Sequence, residues 1–496
     1  MKKIKKLAIA NRGEVAVRIV RAAQEMGMKT VLLHSEVDTQ SIAYRLCDEH
    51  VCIGPAPSAQ SYLDMQRNVD AALSVGAEAI HPGFGFLSEN ADFSDLCTSS
   101  GLIFVGPTGK SIRSLGDKIT AKSLAKAAGI ETIPGYDGKD QSLETLKKEA
   151  SRIGYPVIVK SSAGGGGRGL RVVRSEPEFA ECVESAKNEA KAGFASNEVF
   201  LEKYFENAKH IEFQIFGDQQ GRVLHLSERE CSVQRRHQKV IEEGPSIALN
   251  PKLREEMGGA AKKLAESAQY TGAGTVEFLL SDGKYYFLEM NTRLQVEHTV
   301  TEEIMCVDLV KAQLLIAQGE PCPWVQSALV PRGHAIECRI VAEDSYKGGI
   351  PSIGLLGPMI WPQGPGRRFE VGFEPGDEVF PYYDSMIAKI IVYDETRPKA
   401  IQKMLRTLSE TIITGVHTNI PLLKSILQHE NFVSGQFTTQ FIPRFYPDGL
   451  TEPKTQQDRE KLETQLRLFA GPQTSQPSTT TENPALSPWA GPWRNS

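Results

Sequence analysis

The sequence predicts a multidomain protein of mixed α/β and α+β class. Its 496 residues exceed the ~250–300 residues that a single hydrophobic core usually organises. Up to about Gly116, short apolar strands alternate with helices, a pattern typical of a parallel sheet with helices packed on it. Between Phe200 and Met290 the strands have mixed polarity, which favours an antiparallel sheet.

The first strand–helix unit illustrates this pattern. Residues 7–10 are predicted as a strand, and Asn11 is predicted to cap the next helix, with Glu14 completing a capping box. Val15 and Ile19 then recur at helical spacing. Residues 29–34 form the second predicted strand, so the unit has the βαβ pattern of a parallel sheet.

After Gly116 the pattern changes. A helix is predicted over residues 122–128, and strands over residues 155–160 and 170–173 flank a glycine run. These features separate a central part of the chain from the first α/β part.

The C-terminal third of the chain differs from the first two parts in composition. Beyond Pro331 β-forming and turn residues dominate, up to a helix predicted near residues 398–410. After about residue 470 the composition is mainly Gly, Pro, Gln, Ser and Thr, which cannot bury enough apolar surface to fold. Residues 471–496 are therefore predicted to be a disordered tail.

Composition and charge exclude several classes of protein. With 40% hydrophobic and 24% charged residues, the chain is neither fibrous nor wholly disordered. The 56 Lys and Arg against 61 Asp and Glu give a net charge of −5, so we expect no nucleic-acid partner. No apolar run reaches the ~18 residues of a membrane span, and residues 7–10 fall short of the ~7–15 apolar residues of a signal peptide.

The cysteines indicate the compartment. All eight are scattered, and no two form a Cys-x-x-Cys pair. A zinc site or a disulfide framework would show closer, paired spacing. We therefore expect reduced thiols and a cytoplasmic protein.

Two segments indicate anion binding. Lys160 precedes glycines at 164–167, whose unobstructed N–H groups can enclose phosphate oxygens, although a flexible surface turn is the alternative. Residues 228–239 are dense in charge, as in a solvated basic patch or a nucleic-acid contact. Because Gln is interleaved there and Glu242 and Glu243 follow, a small anion fits better.

Residues 274–297 carry the strongest signal, because an Asp-Gly pair between two strand-like runs predicts a hairpin. A two-residue turn would pair Ser281 with Lys284 and mix polar with apolar side chains on both faces. A three-residue loop would pair Ser281 with Tyr285 and leave one face wholly apolar. Since register follows the buried face, we predict the three-residue loop.

In that register Phe278 lies by Leu288 on the apolar face, and Glu277 lies opposite Glu289 on the polar face. Their Cβ atoms would be ~5 Å apart, and facing carboxylates destabilise a hairpin unless a cation lies between them. With Asn291 two residues on, the ligands are all oxygens, which suit Mg²⁺ or Mn²⁺ bridged to phosphates.

Several motifs together point to one family. They are Ala10-Asn11-Arg12-Gly13-Glu14, residues 81–90, the glycine run, residues 234–239, residues 289–297 and residues 334–339. In these motifs the chain closely resembles the biotin carboxylases, the ATP-grasp components of biotin-dependent carboxylases, over roughly residues 1–447. Phe84, Gly244 and Thr299 depart from the common pattern, where Tyr, Ala and Pro are usual.

The resemblance implies three domains. They are a Rossmann-like N-terminal domain over residues 1–115, an ATP-grasp domain over residues 116–330 and a β-rich C-terminal domain over residues 331–447. A mobile lid is implied at about residues 133–205.

The resemblance also implies ATP- and bicarbonate-dependent carboxylation of biotin through carboxyphosphate. Glu297 would deprotonate bicarbonate, and Arg339 would stabilise the enolate-like biotin anion while the departing phosphate takes the N1′ proton. The residues implied to hold bicarbonate are Lys239, Arg293, Gln295 and Val296. Cations are required because two anions must meet.

Ligand positions follow from the same resemblance. The positions implied to contact ATP are Lys118, Lys160, Gly166, Gly167, His210, Gln234 and His237. The adenine-side segment is Glu202, Lys203, Tyr204 and Phe205. The implied ligands of Mg²⁺ or Mn²⁺ are Glu277, Glu289 and Asn291, in agreement with the hairpin geometry.

The implied assembly follows from what the sequence lacks. It contains no Met-Lys-Met biotin attachment motif and has no room for a carboxyltransferase domain. We expect one subunit, a homodimer, that meets biotin on a separate biotin carboxyl carrier protein and works with a carboxyltransferase subunit. The favoured acceptor is acetyl-CoA, for fatty acid biosynthesis, and pyruvate, propionyl-CoA or another acyl-CoA are alternatives.

Two other functions are weighed against this one. A non-biotin ATP-grasp ligase is disfavoured by the motif at residues 234–239 and by Arg339. A nucleotide-binding regulator with an inactive site is disfavoured because Glu277, Glu289, Arg293 and Glu297 are all retained.

Overall fold

A parallel five-stranded sheet forms the first part of the computed structural model, which describes residues 3–161, 170–194, 199–236 and 238–451. The strands are β1 (Lys6–Ile9), β2 (Lys29–Ser35), β3 (Glu49–Gly54), β4 (Ala79–His81) and β5 (Ile103–Phe104), and the helices are α1 (Gly13–Glu25), α2 (Ile42–Leu46), α3 (Met65–Ser74), α4 (Ala91–Ser99) and α5 (Gly109–Gly116). The spatial order is β3-β2-β1-β4-β5, and every pair is parallel. The predicted α/β part is confirmed.

The predicted cap of α1 is wrong. The helix begins at Gly13 with Arg12 at the cap position and no side-chain cap. The Asn11 amide instead donates to the carbonyls of Pro82 and Phe84, at 2.7 and 2.8 Å. Asn11 thus ties β1 to the loop after β4, and this tertiary contact replaces the local cap.

A small antiparallel sheet follows. Its elements are α6 (Lys118–Ala127), β6 (Gly135–Tyr136), α7 (Leu143–Ile153), β7 (Val157–Ser161), β8 (Leu170–Val173), α8 (Phe179–Phe194) and β9 (Val199–Lys203). The order of the strands is β6-β9-β7-β8. The strands predicted on either side of the glycine run are therefore paired with each other, and the run itself lies outside the described residues.

The largest sheet has eight antiparallel strands. The next strands along the chain are β10 (Lys209–Gly217), β11 (Val223–Arg235), β12 (Gln238–Gly244), β13 (Gly272–Ser281), β14 (Lys284–Asn291), β15 (His334–Val341), β16 (Glu343–Asp344), β17 (Ile350–Pro351), β18 (Gly354–Leu355), β19 (Met359–Ile360), β20 (Arg367–Val371), β21 (Glu378–Val379), β22 (Met386–Asp394) and β23 (Ile412–Ile413). The sheet order is β14-β13-β10-β11-β12-β15-β22-β20. Because β12 pairs with β15, the sheet runs without a break through the predicted domain boundary at residue 331.

Seven helices lie between residues 251 and 445 of the described chain. They are α9 (Pro251–Ser267), α10 (His298–Met305), α11 (Leu309–Ala317), α12 (Arg397–Glu410), α13 (Ile420–Gln428), α14 (Glu430–Val433) and α15 (Phe441–Phe445). No helix among the described residues is both long enough and apolar enough to cross a membrane. The predicted tail, residues 471–496, lies outside the described residues.

The β13–β14 hairpin corrects the predicted turn. Ser281 pairs with Lys284 across a two-residue turn, and Asp282 and Gly283 both have positive φ, 50° and 75°. Such a turn matches the right-handed twist of the strands. In the register set by this turn, Phe278 pairs with Phe287 rather than with Leu288, and a bulge at Leu288 separates that pair from the next one.

The bulge explains why one conclusion survives the wrong turn. The two-residue turn sets the pairs near the tip one residue away from the predicted register, and the extra residue at Leu288 restores it. Glu277 therefore lies opposite Glu289, as predicted.

We expect Gly244→Ala to destabilise the packing between β12 and α10. A Cβ on Gly244 would lie 2.9 Å from Val300 Cγ1 and 3.2 Å from Ile304 Cδ1. Overpacking of this kind costs about 1–3 kcal/mol, so the melting temperature should fall, and adding Val300→Ala should recover part of the loss. Gly259→Ala is the control, because no atom outside the backbone of its own helix lies within 4 Å of a Cβ there. An unchanged melt for Gly244→Ala would contradict this packing.

Candidate active site

A polar cleft of about 360 Å³ lies over the large sheet where β10, β12, β13 and β14 meet α6 and the small sheet. The predicted site residues that line it are Lys118, Lys160, Glu202, His210, Gln234, Lys239, Glu277, Glu289, Asn291, Arg293, Gln295, Val296, Glu297 and Arg339. Residues more than 200 positions apart in sequence are thus brought to one cleft.

A row of charged residues runs across the large sheet and reaches this cleft at Glu277 and Glu289. Arg229 on β11 pairs in register with Glu212 on β10, Glu212 with Glu277 on β13, and Glu277 with Glu289 on β14. Carboxylates that face one another across neighbouring strands destabilise a sheet unless cations offset them. The distribution of cations along this row therefore decides what the site can bind.

The first two carboxylates receive cations from the chain. Arg229 Nε donates to Glu212 Oε1 at 2.6 Å. Lys239 Nζ lies 2.9 Å from Glu277 Oε1 and also contacts Glu212. Burial opposes ionisation, but these cations dominate and hold the pKa of Glu212 and that of Glu277 well below their usual range.

His210 adds a further positive charge. Its Nε2 lies 3.2 Å from Glu277 Oε2 and 3.7 Å from Glu212 Oε2. Burial alone would lower the pKa of His210, but Glu277 and Glu212 raise it to about 9. The Gln234 side chain lies 3.1 Å from the other ring nitrogen. His210 is therefore a cation at neutral pH.

Glu289, at the end of the row, is different. Burial, together with the facing charge of Glu277, raises the pKa of Glu289, and the positive charge of Lys118 only partly opposes them. Asn291 lies beside the pair, with Nδ2 donating to Glu277 Oε1 at 2.8 Å. An unbalanced carboxylate with oxygen ligands around it is a site that a hard divalent cation fits.

A second cluster of ligand-type groups does not fit a metal. His210, Glu212 and Glu277 converge, as do Glu212, Cys231 and Glu297. However, the Lys239 ammonium contacts Glu212, Glu277 and Glu297 and already supplies the positive charge there. The position by Glu289 is the better cation site.

Glu297 lies between two cations. Its Oε1 is 2.6 Å from Lys239 Nζ, and its Oε2 accepts from Arg339 Nη2 at 2.9 Å. Burial would raise the pKa of Glu297, but Lys239 and Arg339 outweigh it and bring the pKa below its ordinary value. The carboxylate is therefore ionised and able to accept a proton.

Two arginines flank this carboxylate. Arg339 Nε donates to Glu242 Oε1 at 2.6 Å, and burial raises the pKa of Glu242 to about 8. Arg293 Nε donates to Glu89 Oε2 at 3.0 Å, and its Nη2 donates to Asn291 Oδ1 at 3.2 Å. Both guanidinium groups line the cleft and can receive an anion.

Other predicted residues are placed differently. Lys160 contacts Glu202, but Lys203 Nζ donates to the carbonyls of Gly154 and Tyr155, at 2.8 and 3.0 Å. The predicted residues that do not line the cleft are Lys203, Tyr204 and Phe205. Those that lie outside the described residues are Gly166, Gly167 and His237.

The sequence interpretation missed several participants. Glu212 and Arg229 belong to the charged row, Lys122 shares Glu202 with Lys160, and Glu89 holds Arg293. Glu89 and Arg229 do fall within segments noted as motifs or as charge-dense. No local signal identifies Glu212, because its role depends on strand pairing with distant residues.

Family comparisons agree with this geometry. Residues 3–112 match the model described as biotin carboxylase, N-terminal domain, and residues 337–444 match the biotin carboxylase C-terminal domain. Residues 117–324 match the model described as carbamoyl-phosphate synthase L chain, ATP binding domain.

Individual proteins are also similar. The chain is 50% identical to biotin carboxylase 2, chloroplastic, of Populus trichocarpa, over 88% of this chain and 84% of that protein. It is 46% identical to the methylcrotonoyl-CoA carboxylase subunit alpha, mitochondrial, of Dictyostelium discoideum, over 93% of this chain and 66% of that protein. A solved structure, the biotin carboxylase domain dimer of Hydrogenobacter thermophilus 2-oxoglutarate carboxylase, has TM-score 0.85 and 46% identity, covering 90% and 98% of the two chains.

The fold and the charged cleft define an ATP-grasp ligase. Within that class, the chain belongs to the biotin carboxylase family. The family and the multidomain fold class predicted from the sequence are confirmed.

In metal-free protein at about pH 8, we expect Glu289→Gln to raise and Glu277→Gln to lower the melting temperature. The raised pKa of Glu289 means that its ionised form destabilises the fold, whereas the lowered pKa of Glu277 means that its ionised form stabilises it. The Glu289→Gln difference should shrink as the pH falls through the raised pKa of Glu289 towards the ordinary value of about 4.3, whereas the Glu277→Gln difference should persist to that pH and shrink only below it, towards the lowered pKa of Glu277.

Thermal melts of both variants in EDTA across this pH range check the prediction. Shifts of the same sign for the two variants at high pH would contradict the charge distribution along the row.

Proposed function

We propose that this chain carboxylates biotin on a separate carrier protein, using ATP and bicarbonate, as the first half-reaction of a biotin-dependent carboxylase. The observation that carries the proposal is Glu297, an ionised carboxylate held between Lys239 and Arg339, in the same cleft as the Glu277–Glu289 pair. A base and an unbalanced acidic pair within one cleft suit a reaction between bicarbonate and a nucleotide phosphate.

Bicarbonate would bind near Glu297. Lys239 and Arg293 supply positive charge, and Gln295 and Val296 complete the lining on that side. These groups are held before substrate arrives, because Gln295 Nε2 donates to Glu277 Oε1 at 2.8 Å and Arg293 is fixed by Glu89. Preorganised charges of this kind lower the repulsion between two anions without reorganisation during the reaction.

Glu297 would then take the proton of bicarbonate. The freed oxygen attacks the γ-phosphorus of ATP, the bond from that phosphorus to the β,γ-bridging oxygen breaks, and carboxyphosphate and ADP form. Because the pKa of Glu297 is lowered by Lys239 and Arg339 against the effect of burial, the base is unprotonated at neutral pH.

Arg339 would act in the second step. Carboxyphosphate splits into CO₂ and phosphate, the phosphate takes the N1′ proton of biotin, and the nitrogen attacks CO₂ to form carboxybiotin. The negative charge that develops on the biotin ureido oxygen would be stabilised by the Arg339 guanidinium, which lines the cleft.

The nucleotide would be held by residues on the opposite side of the cleft. The described residues in these roles are Lys118, Lys160, Glu202, His210 and Gln234. Glu277, Glu289 and Asn291 would hold Mg²⁺ or Mn²⁺, which when bound neutralises charge on the phosphate oxygens. Gly166, Gly167, Lys203, Tyr204, Phe205 and His237 complete the proposed nucleotide contacts from the family resemblance.

The assembly and the acceptor are also proposals. The division into parts 1–115, 116–330 and 331–447 is supported by the ranges of the family matches, and the lid at about 133–205 is proposed from the family resemblance alone. A homodimer is supported by the similar domain that is described as a dimer. Partners would be a biotin carboxyl carrier protein and a carboxyltransferase subunit.

Acetyl-CoA is the acceptor we propose, in cytoplasmic fatty acid biosynthesis. The support is the identity of 50% to a protein named as a biotin carboxylase rather than as a subunit of a carboxylase with another named acceptor. A reducing compartment is supported by eight free cysteines. Carboxylation assays with acetyl-CoA, propionyl-CoA, methylcrotonoyl-CoA, pyruvate and 2-oxoglutarate, using the cognate carrier and carboxyltransferase, test the acceptor. Preference for any other acceptor would contradict it.

We expect phosphate release from ATP to require bicarbonate and to be stimulated by free biotin. Glu297→Gln should lower this rate by about 10²–10⁴-fold, the usual contribution of a general base. Binding of a fluorescent ATP analogue should stay near the wild-type affinity, because Glu297 contacts Lys239 and Arg339 rather than the nucleotide-side residues. Wild-type turnover by Glu297→Gln would refute the assigned base.

We expect Arg339→Ala to lower carboxybiotin formation by about 10²–10³-fold, the cost of removing a preorganised charge from a developing anion. Bicarbonate-dependent ATP cleavage should fall less, because carboxyphosphate forms before biotin reacts. Parallel measurement of carboxybiotin and of ADP separates the two steps. Equal losses in both would assign Arg339 to bicarbonate or ATP binding instead.

A further inference from the structure

Another buried cation is Lys389 on β22. It is fully buried and pairs in register with Arg339 on β15, so two positive residues face each other across neighbouring strands. Like charges in this position are destabilising, and a buried charge is costly unless it is well paired. The groups that contact the Lys389 ammonium therefore indicate its structural role.

Lys389 does not hydrogen-bond to the nearby acids. The closest oxygens of Glu14 and Glu337 lie 3.7 and 3.9 Å from its Nζ, beyond hydrogen-bond distance. Within the described residues, three carboxylate oxygens of these two acids have no hydrogen-bond partner. A cluster built for stability alone would pair the ammonium with them.

The ammonium instead donates to the backbone carbonyl of Val296. The next residue is Glu297, whose carboxylate binds Arg339, the cross-strand neighbour of Lys389. The consecutive residues Val296 and Glu297 are thus held by Lys389 and Arg339, which are neighbours across two strands of the sheet.

The rest of this segment is also fixed. His298 Nδ1 lies 2.8 Å from the carbonyl oxygen of Gln295, and the hydroxyl of Thr299 donates to Glu337. Glu337 in turn lies beside Lys389. Thr299, which stands where related sequences usually have Pro, therefore joins the segment to the same cluster.

We propose that Lys389 is a positioning residue: by holding the Val296 carbonyl it fixes the Val296–Glu297 segment so that the Glu297 carboxylate stays aimed at bicarbonate. The inference rests on the proposed role of Glu297. Misplacement of a reacting group by about 1 Å costs on the order of 10²-fold in rate. Thr299 contributes to the same arrangement, because its hydroxyl binds Glu337, which lies beside the Lys389 ammonium.

Lys389→Met is the direct test, because Met keeps the volume of the side chain and removes the donor. Burial raises the pKa of both Glu14 and Glu337 to about 7, so these acids can take up protons when the ammonium is lost. We expect kcat/KM for bicarbonate to fall about ten- to hundredfold, with KM for MgATP within about twofold of wild type.

Lys403→Met is the matched control. Its Nζ also donates to a backbone carbonyl, that of Tyr393 at 2.7 Å on the same strand, and it contacts no residue of the cleft among those described. This variant should keep both kinetic parameters. Unchanged bicarbonate kinetics in folded Lys389→Met, or equal changes in the KM of both substrates, would overturn the proposal.

Thr299→Val decides the matter if Lys389→Met does not fold. It removes only the hydroxyl that binds Glu337, and a several-fold loss in kcat/KM for bicarbonate without a change in KM for MgATP is expected. Wild-type kinetics for this variant would then overturn the proposal. Glu297→Gln is measured in the same assay to separate the role of Lys389 from the role of Glu297. Wild-type activity of Glu297→Gln would refute Glu297 as the base, whatever the result for Lys389.

Discussion

The repulsion within one row of side chains constrains the rest of the active site. Glu212, Glu277 and Glu289 face one another across β10, β13 and β14, and Arg229 ends the row on β11. The chain offsets the first two carboxylates with Arg229, Lys239 and His210 but leaves the third in excess. This gradient of charge, rather than any single ligand, makes the Glu289 end suited to a divalent cation.

The same cations connect the row to the proposed chemistry. Lys239 contacts Glu297 as well as Glu277, so the charge that relieves the row also keeps the proposed base ionised. Arg339, which contacts Glu297, lies on β15, and β15 pairs directly with β12, the strand that carries Lys239. The unbroken sheet is therefore what brings the base, the bicarbonate-binding groups and the biotin-facing arginine together.

Local patterns predicted much of this, and long-range pairing explains what they missed. Alternating polarity was enough to place Glu277 opposite Glu289, but the turn was predicted wrongly because a bulge at Leu288 is not visible in a period-two pattern. Glu212 became recognisable only through its pairing with a strand about 60 residues away. Asn11 was misread as a cap because its acceptors lie in a distant loop.

The most direct test of the account follows oxygen from bicarbonate to phosphate. If Glu297 activates bicarbonate to attack the γ-phosphorus, ¹⁸O-labelled bicarbonate must transfer one labelled oxygen to each inorganic phosphate that wild-type enzyme releases with biotin present. Residual phosphate from Glu297→Gln, formed by attack of water, should carry no label. Unlabelled phosphate from the wild-type reaction, measured by mass spectrometry before oxygen exchange of bicarbonate with water, would contradict the account.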